Sequence, residues 1–221
     1  MKKGILLFTT LMVSIFAFAQ EKPAFGIRAG LSSAGMRGDA VNNLQNLLDL
    51  TDGMVTTSNR AGFFAGAYTS IPLSENISVE PALYYSQKGY ELNGSLKGKG
   101  VDFLGVNANA ALNMHYVDLP VLLKANIGGL QVFGGPQVSY LAQADLRTSA
   151  GLLGINLLNT TIDATDQFNR WDIGLTGGLG YQFNNGVNVM AAYEHGLSRV
   201  DAGQRFNSYN RSFKVGVGIT F

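Results

Sequence analysis

Apolar and polar residues alternate with period two along most of this chain, and residues 116–127 show the rule in its cleanest form. Val117, Leu119, Val121, Leu123, Ala125 and Ile127 fall on one face; Tyr116, Asp118, Pro120, Leu122, Lys124 and Asn126 fall on the other. Such alternation predicts a β-strand with one apolar and one polar face. The same period recurs over residues 24–33, 77–90, 130–143, 169–183, 187–198 and 212–221, and with the apolar run 60–73 this gives eight predicted strands. Residues 60–73 are apolar on both faces, so their register stays open.

The connections carry a second pattern. Ser74-Glu75-Asn76, Gly128-Gly129 and Asn184-Asn185-Gly186 read as tight turns, the last being the strongest local hairpin signal. Residues 34–59, 91–110, 144–168 and 199–208 are long. Long and short connections therefore alternate, with both ends of the array on the short-turn side. This predicts an all-β fold: an eight-stranded antiparallel up-and-down transmembrane barrel with four long exterior loops and three short periplasmic turns.

The orientation of the two faces decides between a membrane barrel and a soluble one. In a soluble lipocalin-like carrier the apolar face would surround a ligand and the polar face would meet water. In a membrane barrel the apolar face meets lipid and the polar face fills the lumen. Gly26, Gly30, Gly178, Gly180, Gly216 and Gly218 all lie on the polar face, where a narrow interior needs small residues and a solvated surface does not. The charges on that face balance: Arg28, Lys88, Lys124 and Lys214 against Glu80, Asp118, Asp172 and Glu194. Inside an eight-stranded barrel just wide enough for side chains, these ions would have to pair. The apolar face carries aromatics at both strand ends, as membrane-interface girdles would: Phe25, Phe183 and Phe221 near the turns, Tyr140, Trp171, Tyr193 and Phe213 near the loops. The membrane reading is preferred.

Composition agrees. The 221 residues include 28 Gly and no Cys, and only 14% are charged, well short of the ~25% usual in soluble domains. The formal charge of +1 and the lack of a Lys/Arg cluster argue against nucleic acid as partner. Lys2 and Lys3 followed by an apolar run to Phe18 and the small-residue pair Ala17 and Ala19 predict a signal peptide over residues 1–19. Residues 20–221 would then form a single barrel domain in the outer membrane of a Gram-negative cell envelope.

The run Tyr116-Val117-Asp118-Leu119-Pro120-Val121-Leu122-Leu123-Lys124 resembles the Y-x-E/D-x-P-x-L-x-K strand of the PorT-type outer-membrane β-barrel family, within the wider OmpA/OmpX-like barrels. Residues 133–140 and 171–180 are similar to the two strands that follow it there, and terminal Phe221 resembles the signal read by the outer-membrane assembly machinery. The resemblance covers essentially the whole mature chain. It implies a fold and a location; some members are associated with protein secretion and gliding, and the family brings no catalytic residue set.

No residues converge for chemistry, and neither cofactor nor metal is expected. His115 and His195 fall on the lipid-facing parity near strand ends, and Glu194 alternates away from His195, so both read as interface polar residues rather than parts of an enzyme. The charged lumen set could line an ion path, but a network that plugs the lumen fits a barrel of this width better. Apolar segments 41–50 and 152–158 lie in exterior loops and could be partner surfaces, a capping helix or a strand extension. The expected protein is a monomer embedded in outer-membrane lipid, acting through its loops as a structural, binding or secretion- or assembly-associated component. A porin-like pore for ions or small solutes and a soluble periplasmic carrier are the alternatives.

Overall fold

The computed structural model describes residues 22–38, 55–95, 107–152, 155–203 and 207–221. The signal-peptide segment and the amphipathic stretch 41–50 lie outside them. Among the described residues nine strands are present: β1 (Ala24–Arg37), β2 (Val55–Ser74), β3 (Ile77–Ser95), β4 (Asn107–Ile127), β5 (Leu130–Leu152), β6 (Ile155–Asp163), β7 (Trp171–Gln182), β8 (Val187–Gly196) and β9 (Tyr209–Thr220). Eight of them close a ring in the order β1-β2-β3-β4-β5-β7-β8-β9, with β9 pairing back onto β1. Every pairing is antiparallel. Among the described residues no helix is long and apolar enough to cross a membrane; the strands are the crossing elements.

The ninth strand is a departure from the expected loop over residues 144–168. β5 continues to Leu152 and folds back as β6, which pairs only with β5, above the stretch of β5 that β7 occupies. β3 and β4 likewise run 19 and 21 residues, through much of the expected loop 91–110. A crossing needs only about 9–11 residues, so these strands continue beyond the membrane. Alternation fades there because water, unlike lipid, accepts polar side chains on both faces. Of the readings left open for 152–158, the strand extension is the one seen, with Leu152 paired to Ile155 at the far end of the β5–β6 ladder.

Side-chain direction follows the alternation. Outward Leu31 is 73% exposed and Phe221 74%, whereas inward Asp118 is fully buried and Lys124 is 4% exposed. β2, ambiguous in sequence, turns Phe64 and Tyr68 into the lumen and Phe63 out. One expectation fails on β5: Gln143, assigned to the inward face, is exposed. His115 pairs with Gln143 but Tyr116 pairs with Leu141, so Ala142 is an extra residue. A single-residue bulge reverses the parity of everything beyond it, and Leu141 and Ala144 point in instead.

The interior is packed in layers. Phe64 lies over the facing pair Gly30 and Gly216, where a Cβ on Gly216 would come within 2.7 Å of the ring tip. Gly26 makes the same room for Tyr68, and Gly178 for Phe133. At the loop end Met114, Tyr116, Leu141 and Ala144 pack with Val200 from the β8–β9 connection, with Phe168 against them. This apolar cluster caps the lumen.

Candidate functional site

Two layers of buried charge cross the lumen between these apolar layers. Nearer the turns, Arg28 on β1 donates to Glu80 Oε1 on β3 at 2.8 Å, and Lys124 on β4 pairs with the other oxygen of the same carboxylate. Arg28 also donates to Tyr84 Oη at 2.8 Å and to Asn188 Oδ1 at 3.1 Å, with its guanidinium 4.2 Å from the centre of the Tyr68 ring. Asn188 in turn donates to Tyr68 Oη at 2.7 Å.

Nearer the loops the arrangement is a closed square. Lys88 on β3 lies 3.1 Å from Asp118 on β4 and 3.1 Å from Glu194 on β8. Lys214 on β9 lies 2.9 Å from the second oxygen of Asp118 and 2.5 Å from that of Glu194. Each ammonium therefore touches both carboxylates. β3 and β4 form one wall and β8 and β9 the opposite one, so the square ties the barrel across its width. Removing a single corner would leave two like charges sharing one counter-ion and one buried unit charge uncompensated, the costly situation for ions out of water.

Seven of the eight charges named from sequence are ion-paired in this way. Asp172 is not. Its carboxylate accepts from Asn210 Nδ2 at 2.7 Å, and among the described residues no Lys or Arg lies in ion-pair range. Counting charges could not reveal this, because pairing depends on strand position and Glu80 takes two cations. Asn210, Tyr84, Tyr68 and Asn188 complete the network and were not singled out; inward parity was the available signal for Tyr84 and Asn188, whereas Tyr68 lies on the strand whose register stayed open and Asn210 precedes the predicted last strand. The cavity beside Asp172 and Glu194 holds about 10 Å³, room for no more than one water-sized occupant.

A polar, ion-paired interior inside an apolar outer surface is the arrangement of a lipid-embedded barrel. The sequence matches the family described as outer membrane protein beta-barrel domain over residues 18–202. The chain belongs to that family. It is an outer-membrane protein. The match does not single out the PorT-type members that the 116–124 run resembles. Neisserial surface protein A is 13% identical and aligns over 91% of this chain and 100% of its own, with a TM-score of 0.48. Ail from Yersinia pestis is 11% identical over 91% and 100%, with a TM-score of 0.45. OprG from Pseudomonas aeruginosa is 14% identical over 91% and 97%, with a TM-score of 0.43. No curated protein matches the chain in sequence.

On this outer-membrane barrel Phe25, Phe183 and Phe221 are exposed at the periplasmic end, and Tyr140, Trp171, Tyr193 and Phe213 at the exterior end. Tyr140 and Trp171 meet edge to face with ring centres 5.1 Å apart. Phe63 and Tyr85, which the sequence reading left out, add a second outward aromatic contact at 5.6 Å. The Phe221 backbone N–H donates to Phe25 O at 2.7 Å, fastening the last residue to β1. The two histidines are far from one another in the ring: His115 Nδ1 lies 2.5 Å from Tyr85 Oη, and His195 Nε2 lies 3.0 Å from an Arg211 nitrogen.

Proposed function

We propose that this outer-membrane barrel is a non-conducting, non-catalytic component that acts through its exterior face as a structural, binding or assembly-associated protein. The observation that carries the reading is the Lys88–Asp118–Lys214–Glu194 square crossing the lumen beneath the Met114–Leu141–Val200 cap. Solute would have to break four short ionic contacts and displace apolar side chains to pass. Among the described residues His115 bonds to Tyr85 and His195 to Arg211, and neither bonds to a buried carboxylate, which supports a protein without a catalytic centre. The β5–β6 hairpin, standing beyond the aromatic girdle, is the surface offered to a protein partner. The barrel works as a monomer in lipid, has no nucleic-acid partner, and is delivered by assembly machinery that reads Phe221.

Planar-bilayer recording of the purified protein tests this. The expected result is no conductance steps from wild type; Lys124→Glu, which would set a second carboxylate against Glu80, should destabilise the barrel. Regular steps from wild type, with ion selectivity reversed by Lys124→Glu, would establish the pore instead.

A further inference from the structure

Above the exterior girdle, four neighbouring strands bring polar donors to one level of the outward face. Tyr193 on β8 pairs with Phe213 on β9, and one step further from the membrane centre His195 pairs with Arg211. On the other side Arg211 faces Gly35 of β1, with Ser33 diagonally below it and Arg37 diagonally above. Gly35 has no side chain to fill the space beside the guanidinium. Asn59 of β2 does so in part, its Oδ1 lying where a Gly35 Cβ would be, at 2.3 Å.

Arg211 is held in an unusual way. One terminal nitrogen donates to Gly196 O at 2.7 Å and to Asn210 O at 2.8 Å, and the other contacts His195 Nε2 at 3.0 Å. A guanidinium has only donors, so Nε2 is the acceptor and Nδ1 carries the ring proton. Of the roughly five N–H donors of an arginine, three are engaged by neutral groups and two remain. Two other exterior arginines are neutralised, Arg60 by Glu91 at 2.6 Å and Arg170 by Asp166 at 3.0 Å, whereas Arg147 reaches the neutral Asn159. Arg211 has no carboxylate within ion-pair range among the described residues. An arginine that merely reached out of the bilayer would keep its head free in water. This one is fixed in place by neutral acceptors, with its Cζ 5.8 Å from the Tyr209 ring centre and no carboxylate on it among the described residues, and the next outward pair toward the membrane centre is aromatic.

We propose that the notch formed by Arg211, His195, Ser33, Arg37 and Asn59 seats the phosphate of a lipid headgroup in the exterior leaflet. Fixed arginine donors match phosphate oxygens in geometry and charge. The depth selects a lipid over a soluble anion: acyl chains of the same molecule would lie along Phe213, Tyr193 and the apolar residues beneath them.

The test is native mass spectrometry of the purified protein in detergent with phosphatidic acid, with diacylglycerol of the same chains, and with inorganic phosphate as competitor. Phosphatidic acid should be retained about tenfold better than diacylglycerol, and Arg211→Ala should remove most of that preference. Inorganic phosphate at equal concentration should not displace the lipid. Arg170→Ala, which removes a charge already paired, should leave retention unchanged. If Arg211→Ala loses its heat-dependent gel shift and so fails to fold, Arg37→Ala takes its place and should lower retention severalfold. Equal retention of both lipids, displacement by phosphate, or an equal loss in Arg170→Ala would overturn the proposal.

Discussion

Lys214 on β9 and Asp118 on β4 lie 96 residues apart in sequence and 2.9 Å apart across the lumen. The contact joins opposite walls of the ring, so it can form only once the barrel is closed or nearly so. Buried ion pairs add little stability over an apolar filling of the same shape, yet losing one partner is expensive. The square would then act chiefly as a register lock, which variants of its corners test.

Asp118→Asn should destabilise the barrel by about 3–5 kcal/mol, because it leaves two buried ammonium groups sharing the one Glu194 carboxylate. Lys214→Met in the same background should restore part of the loss. Urea unfolding in detergent for both single variants and the double gives the coupling. Additive losses would show that the two residues are not a unit.

Gly216→Ala should cost about 1–3 kcal/mol through collision with the Phe64 ring. Phe64→Leu should be destabilising alone but should tolerate Gly216→Ala better than wild type does. The midpoint of the heat-dependent gel shift reads both. If Gly216→Ala is neutral, the lumen is looser than the layered packing requires.

Asp163 closes the exterior hairpin. Its carboxylate accepts from the Thr165 hydroxyl at 2.5 Å and the Thr165 N–H at 2.8 Å, which holds its pKa below the usual aspartate value. A carboxyl depressed in the folded state contributes stability above its unfolded pKa and loses it as pH falls through the folded value. Proteolysis between β6 and β7 should accordingly be slow at neutral pH and accelerate in acid below the ordinary aspartate range. Asp163→Asn should be cut faster at neutral pH and show less acid dependence. Identical cleavage in both proteins would remove the turn's role.

The strand faces were legible because lipid and a filled lumen impose opposite demands on adjacent residues. Every second residue from Phe213 on β9 to the terminal Phe221 announces which way it points. That legibility stops where lipid stops. β6 and the ends of β3 and β4 continue the ladder into water, and nothing in their polarity sets them apart from loops. Gln143 was misplaced because one extra residue in a bulge leaves no compositional mark. The charged set could be named but not wired: Asp172 differs from its seven companions only in where its strand puts it. The cap was hidden for a similar reason, since Val200 comes from a connection and reaches Met114 only in the folded ring.

The arrangement of apolar residues outward and ionic residues inward underlies every step above, and spin-label accessibility tests it most directly. The chain has no cysteine, so single cysteines at Leu175 and Thr176, adjacent on β7, can be labelled cleanly. In lipid bilayers the label at 175 should collide freely with oxygen and be shielded from a water-soluble nickel chelate, as a lipid-facing site is. The label at 176 should be shielded from both, because the lumen is packed. A nickel-accessible label at 175 beside an oxygen-rich one at 176 would mean that the faces are exchanged and the barrel is a soluble carrier with an apolar interior.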